Sequence, residues 1–240
     1  NLQVWVPVWV APPVDFTWKI DSFGEWTTAD NWTPSGGPPG DADTARHANH
    51  TATFGSAITS DRTVITETAV SARAITFDNS NTYSIAGNGS VNLIAATVTE
   101  LSTAITTLQG THQFQANVQL HNDTSVDVAS GSALEFNNRL FLHGNILTKI
   151  GVGTMAINNN VSTSGGTVNC AQGTCSGTGT IGGDLINDGG TISPGNSLLV
   201  DGSLSVVPEP ASIVLLLLGL MGAFSGRPQR IITVSRCFPV

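Results

Sequence analysis

Short apolar alternations separated by Gly, Asn, Asp and Ser dominate the chain from about residue 62 to residue 192. Typical segments are TVIT at 63–66, AITF at 74–77 and VNLI at 91–94. A period of two residues is the pattern of a strand with one buried face, and polar residues between such segments are typical of turns. The pattern therefore predicts an all-β domain of short strands, built either as a solenoid or as a sandwich.

Two alignments of the chain with itself reveal an internal repeat. Residues 118–128 match residues 140–150 at an offset of 22, and residues 132–138 match residues 153–159 at an offset of 21. A period of this length is typical of one turn of a parallel β-helix, in which each coil buries its inward residues by stacking on its neighbours. The repeat predicts a right-handed parallel β-helix, with a β-sandwich or jelly roll as the alternative.

The alignments also predict which residues occupy equivalent positions. The inward side chains expected at such positions are Leu134, Phe136, Met155 and Ile157. His121 falls over His143, and Asn137-Asn138 over Asn158-Asn159. Like residues lie above like in a stacked coil, so we expect paired imidazoles and an Asn ladder at the turns.

The pattern changes after residue 206. The segment Val207-Pro208-Glu209-Pro210 is followed by an uncharged apolar run from Ala211 to about Gly226 and then by Arg227 and Arg230. The two prolines break the preceding strand pattern, and the run lacks the polar stripe of an amphipathic core helix. It therefore predicts a membrane helix, and the arginines after it place its C-terminal end in the cytoplasm.

This order of elements resembles the PEP-CTERM sorting signal of exported bacterial proteins, in which Pro-Glu-Pro precedes a hydrophobic segment and an Arg-rich end. The resemblance implies export, anchoring in the inner membrane, and cleavage near the Pro-Glu-Pro by an exosortase, a membrane cysteine transpeptidase-like enzyme. The residues that would form the sorting and processing motif are Val207, Pro208, Glu209, Pro210, Ala211, Ser212, Arg227 and Arg230. An ordinary C-terminal anchor is the alternative interpretation.

Two further segments resemble exported β-helical proteins. Residues 176–206, SGTGTIGGDLINDGGTISPGNSLLVDGSLSV, resemble the closing coils of autotransporter-associated β-strand repeat proteins. Residues 39–43, PGDAD, resemble a PGxxD turn that follows tryptophans in exported proteins carrying PEP-CTERM signals. The resemblance implies a β-helical passenger that ends immediately before the anchor.

These observations predict five regions along the chain. They are a remnant of an export segment or a truncated start at 1–15, a Trp-rich N-terminal cap at 16–61, a β-helical passenger at 62–206, the PEP-CTERM sorting and anchor segment at 207–230, and a cytoplasmic tail at 231–240.

Trp18, Trp26 and Trp32 lie close together near the N-terminus. Each indole buries on the order of 200 Å², so the three can form an apolar plug over the first edge of the solenoid. An aromatic platform that contacts carbohydrate would use the same residues. The plug is the preferred interpretation, and carbohydrate contact is the alternative.

Cys170 and Cys175 lie five residues apart in a Gly-rich stretch. An exported protein meets an oxidising environment, in which the two could form a disulfide that closes a small loop. Two free thiols are the alternative.

The candidates for catalysis and metal binding are few. The closest carboxylate pairs are Asp41 with Asp43 and Asp123 with Asp127, whose counterparts at an offset of 22 are Asn145 and Lys149. A glycosidase or lyase would need paired carboxylates on one face, and calcium would need about six to eight oxygen ligands. The pairs are better explained as solvated turns, so we expect no catalytic residues and no cofactor.

His47 and His50, with Asp43 nearby, are candidate zinc ligands. Three imperfect ligands outside a predicted helix are better explained as a surface cluster, so no metal is expected. The net charge of −8 argues against a nucleic-acid partner, whose phosphates require a Lys/Arg surface.

The sequence thus favours an exported, surface-anchored or released structural or adhesive protein of the bacterial envelope that is not an enzyme. Its expected partners are an exosortase, the membrane through the C-terminal helix, and extracellular polysaccharide of a biofilm matrix, the last implied by resemblance alone. The alternatives are a carbohydrate-active β-helix enzyme and a carbohydrate-binding module.

Overall fold

The structure is a computed structural model that describes residues 14–40, 49–95, 102–195 and 198–207. A compact unit ends at Val207. Apart from a short 3-10 helix at Ala29–Asn31, the regular elements among the described residues are strands.

The first strands in chain order are β1 Asp15–Trp18, β2 Gly24–Glu25, β3 Trp32–Thr33, β4 Thr51–Phe54, β5 Arg62–Ile65, β6 Val70–Ala72, β7 Ala74–Asp78, β8 Tyr83–Ala86, β9 Ser90–Leu93, β10 Ser102–Gln109, β11 Thr111–Phe114, β12 Asn117–Leu120 and β13 Asp123–Val128. The remaining strands are β14 Ala133–Phe136, β15 Leu140–Phe141, β16 Ile146–Ile150, β17 Thr154–Ile157, β18 Val161–Ser162, β19 Thr167–Cys170, β20 Thr174–Gly177, β21 Thr180–Ile181, β22 Asp184–Asn187, β23 Thr191–Pro194, β24 Leu199–Val200 and β25 Leu204–Val206.

From β4 onward every third strand joins the same sheet, which is the topology of a solenoid. The ten-stranded sheet A runs in the order β25-β22-β19-β16-β13-β10-β7-β4-β1-β3, the eight-stranded sheet B runs β2-β5-β8-β11-β14-β17-β20-β23, and the seven-stranded sheet C runs β24-β21-β18-β15-β12-β9-β6. Among the described strands, β1 with β3 is the one antiparallel pairing. The parallel β-helix is therefore confirmed and the sandwich alternative is wrong, because a sandwich would be built mainly from antiparallel pairs.

The core lies between the three sheets and follows the predicted repeat. Leu134 pairs with Met155 and Phe136 with Ile157 at the expected offset of 21. All four side chains are at most 2% exposed. The Asn ladder is also present, since Asn158 Nδ2 donates to Asn137 Oδ1 at 2.7 Å.

The offset of 22 holds on sheet C but fails on sheet A. Val118 pairs with Leu140 as expected, whereas Asp127 pairs with Ile150 at an offset of 23. The later coil has one more residue at the corner between the two sheets, where His143 (φ 49°) and Gly144 (φ 84°) adopt left-handed conformations. One inserted residue moves a strand's side chains to opposite faces, so the predicted alignment of Asp127 with Lys149 is wrong.

Parallel stacking begins earlier than the expected passenger start at residue 62. β1 pairs with β4, and β4 pairs with β7, so the Trp-rich segment supplies strands to sheet A. Phe54 of β4 stacks on Phe77 of β7 with ring centroids 5.3 Å apart. The N-terminal region thus shares one core with the coils that follow it.

Candidate functional site

The solenoid continues to the residue before the predicted sorting motif. Strand β25 pairs in parallel with β22, and the backbone N–H of Val207 donates to the carbonyl of Asn187 at 2.8 Å. The next residue in the sequence is Pro208, which has no N–H to continue the ladder. Regular pairing and the Pro-Glu-Pro motif therefore meet at one peptide bond.

The remaining predicted motif residues lie outside the described part of the chain. These residues are Pro208, Glu209, Pro210, Ala211, Ser212, Arg227 and Arg230. The predicted membrane helix also lies outside it. Within the described ranges, which end at Val207, no helix has the length and apolar character needed to cross a membrane.

The three N-terminal tryptophans form a buried cluster around Phe54. Trp18, Trp26 and Trp32 are 1%, 0% and 0% exposed. The Trp32 ring lies edge-on to both other indoles, at centroid distances of 5.2 and 5.1 Å, and 5.4 Å from Phe54. Each indole N–H is satisfied by a backbone carbonyl. Apolar burial and paired N–H groups together explain why this end of the core contains three tryptophans.

The same burial overturns carbohydrate contact at these residues. Sugar stacking requires an exposed ring face, whereas the faces of Trp18, Trp26 and Trp32 are covered by protein. Sequence proximity brought the three indoles together as expected, but the pattern did not show that Phe54 and the following coil would enclose them.

Cys170 and Cys175 are paired as a disulfide in the structure, with Cα atoms 6.2 Å apart. Cys170 ends β19 in sheet A, and Cys175 lies in β20 in sheet B. Both side chains point into the core and are at most 3% exposed. The pair links two sheets across one corner of the same coil.

The carboxylates considered for catalysis are spread along the surface or lie outside the described residues. Asp41 and Asp43 belong to the undescribed segment 41–48. Asp123 Oδ1 accepts the backbone N–H of Ile146 on the next coil at 2.8 Å. The same bond recurs at two other coils, from Thr82 N to Asp61 at 2.7 Å and from Ser203 N to Asp184 at 2.8 Å. These aspartates join coils, a role that the one-dimensional pattern did not reveal.

His121 and His143 stack at one outer corner, as their repeat predicted. Their ring centroids are 5.4 Å apart, and His143 Nε2 lies 3.1 Å from Gln119 Oε1. The pKa of His121 is lowered mainly by partial burial and, to a smaller extent, by electrostatic repulsion from the neighbouring His143. His47 of the considered zinc cluster is outside the described residues, and in the part of the chain that the structure describes no three His, Cys, Asp or Glu side chains are grouped to hold a metal ion.

Lys149, which the offset of 22 aligns with Asp127, is instead a buried cation paired with Val126. Its side chain is 0% exposed and occupies the inward column between Val126 and Cys170. The Nζ donates to the carbonyls of Ile150 and Gly151 at 2.6 and 2.7 Å. Burial lowers the pKa of Lys149 to about 8, although the negative charge of Asp127 acts to raise it. The corner carbonyls thus solvate the ammonium in place of water.

The comparison with protein families identified a sorting motif near the C-terminus. Residues 206–230 match the model of the PEP-CTERM protein-sorting motif, which covers the predicted sorting and processing residues. No curated protein and no solved structure matches the chain. A PEP-CTERM motif implies export, a C-terminal membrane anchor before processing, and processing by an exosortase. The chain is therefore an exported β-solenoid protein that carries a PEP-CTERM sorting motif.

Proposed function

We propose that this protein is a non-catalytic structural or adhesive component of the bacterial envelope, anchored at the surface or released after processing, and associated with the exopolysaccharide of a biofilm matrix. The observation that carries the proposal is the direct succession of a β-solenoid and a sorting motif at Val207. A solenoid offers long outer faces and a rigid stacked core, which suit a spacer or an adhesin.

The use of the carboxylates supports a structural role. Asp61, Asp123 and Asp184 each accept a backbone N–H from the following coil. A carboxylate engaged in this way fixes the spacing between coils, and a charge-assisted hydrogen bond is stronger than a neutral one.

Fractionation of cells tests the association with the matrix. The chain is expressed behind a working signal peptide in an exosortase-containing host, and in a matched host unable to make exopolysaccharide. We expect the passenger to co-sediment with the matrix in the first host and to appear in the free medium in the second. Equal release from both hosts would contradict the matrix association.

A polysaccharide assay tests the non-catalytic role. Purified protein is incubated with neutral and acidic polysaccharides while reducing ends and unsaturated products are measured. We expect no product above that of heat-denatured protein. Release of oligosaccharides in proportion to enzyme concentration would instead establish the carbohydrate-active alternative.

A further inference from the structure

A shallow cleft opens beside the first coils, on the side of sheet B. Its volume is about 420 Å³, within the range of small-ligand sites. The lining residues are Asp21, Ser22, Phe23, Asp61, Arg62 and Thr63. We propose that this cleft binds one sugar unit of a neutral polysaccharide, whose chain continues along the outer face of sheet B; the inference rests on the proposed function and names its partner.

Phe23 supplies an apolar surface at the cleft. It is 72% exposed, more than any other large hydrophobic side chain in the described ranges. A single exposed hydrophobic residue is ordinary, but this one lies beside two carboxylates and a guanidinium. Sugars present both an apolar C–H face and a ring of hydroxyl groups, so an aromatic face next to charged hydrogen-bonding groups matches their chemistry.

The polar side of the cleft is held in place before any ligand arrives. Asp21 accepts the N–H and the hydroxyl of Thr59 at 3.1 and 2.5 Å and pairs with Arg62 at 3.0 Å. Asp61 accepts the N–H of Thr82 at 2.7 Å. A carboxylate can accept about four hydrogen bonds, so both retain acceptor capacity for sugar hydroxyls.

Arg62 also retains an unmet donor. Its Nε is buried and has no hydrogen-bond partner among the described residues.

The charges of the cleft favour a neutral ligand. Arg62 is balanced by Asp21, and Asp61 leaves the lining with a net negative charge. A uronic acid would therefore meet like charge, whereas uncharged hydroxyl groups can both donate and accept. The overall charge of −8 acts in the same direction.

A row of polar side chains leads away from the cleft along the solenoid. Thr63 pairs with Ser84, and Ser84 with Gln113, on successive strands of sheet B. Gln113 Nε2 donates to Ser84 Oγ at 2.8 Å, and Asn137 Nδ2 donates to Gln113 Oε1 at 2.7 Å. Neighbouring strands lie about 4.8 Å apart, so a chain laid along the axis meets polar side chains on the four successive coils that carry Thr63, Ser84, Gln113 and Asn137. This continuity favours a polymer over a free monosaccharide.

Saturation-transfer NMR on the full chain tests the site, in a zwitterionic detergent that contains no sugar. The probes are neutral hexasaccharides of glucose, mannose, galactose and N-acetylglucosamine, together with hexagalacturonate. We expect at least one neutral probe to bind and hexagalacturonate to bind more weakly. Phe23→Ala should weaken binding roughly tenfold, the equivalent of about one aromatic contact, while Phe23→Tyr keeps it.

Val152→Ala is the matched control, because Val152 is 67% exposed and lies outside the cleft lining. It should bind like the wild type, and circular dichroism should be unchanged in all three variants. The proposal is overturned if no neutral probe binds, if hexagalacturonate binds best, or if Phe23→Ala and Val152→Ala behave alike. If no neutral probe binds the wild-type protein while that protein still sediments with the matrix, this cleft is rejected and the proposed function stands.

Discussion

At the N-terminal end of the solenoid, Trp18, Trp26 and Trp32 close the core at 0 to 1% exposure, whereas at the C-terminal end Leu204 and Val206 are 55% and 64% exposed. The interior changes in the same direction. In the described chain the last buried aromatic residue is Phe136, and smaller side chains fill the later coils.

The coils also become shorter toward the C-terminus. The offset between stacked residues falls from 21 between Leu134 and Met155 to 17 between Cys175 and Ile192. A shorter coil encloses less volume, which matches the loss of aromatic side chains. Since each coil is stabilised by its neighbours, the C-terminal coils are expected to open first. The least buried coils thus adjoin the sorting motif in the sequence.

The largest loss of stability is expected from Phe136→Asp, which places a charge in the aromatic part of the core. Removing the ring costs about 3–5 kcal/mol, and burying a carboxylate beside Phe114 and Ile157 adds a further cost. Typical domains are stable by about 5–15 kcal/mol, so we expect an unfolded passenger by circular dichroism. Leu204→Asp at the exposed end should remain folded, and a folded Phe136→Asp would show that the inward face is wrong.

A smaller loss of stability is expected when single side chains at the two ends of the solenoid are truncated, and the two ends should differ. Trp32→Ala should lower the free energy of unfolding by about 3–5 kcal/mol, because it removes a fully buried indole. Val206→Ala should change it by less than about 0.5 kcal/mol, as is usual for exposed positions. Urea denaturation monitored by circular dichroism measures both. A decrease for Trp32→Ala as small as that expected for Val206→Ala would mean that the tryptophan cluster does not stabilise the stack.

The smallest expected effect is a pH dependence of stability that comes from Lys149, in the part of the core that follows the last buried aromatic residue. Burial lowers the pKa of Lys149 to about 8 in the folded chain, against about 10.4 when unfolded. Between these values the unfolded state binds more protons, so the contribution of Lys149 makes stability rise with pH. Lys149→Met should reduce that rise, measured as the difference between the two proteins in urea midpoints from pH 7 to pH 10. Parallel profiles would contradict the buried, partly deprotonated lysine.

The stacked architecture could be predicted because the burial of each coil imposes a regular repeat of apolar residues on the sequence. Leu134, Phe136, Met155 and Ile157 are inward as expected, since a two-residue alternation and a 21-residue repeat both place them there. The corner at His143 was not predicted, because one added residue leaves the flanking patterns intact while shifting their register.

Chemical roles were harder to predict than positions. The corner shift put Lys149 in the core, and carbonyls that carry no signature in the sequence solvate it. Likewise, Asp123 became a bridge between coils because of the backbone N–H beside it. The cleft at Phe23 and Arg62 joins a loop to a strand 39 residues later, so no local pattern could reveal it.

The most direct test of the central claim follows the two sides of the sorting motif. The full chain is expressed behind a working signal peptide in an exosortase-containing host, with one epitope in the passenger and another after Val240. We predict that the passenger epitope appears outside the cell on a shortened fragment while the tail epitope stays with the inner membrane. Replacing Pro208-Glu209-Pro210 by alanines should leave both epitopes on one membrane-bound chain. Both epitopes travelling together in the soluble cytoplasm would contradict export and sorting through this motif.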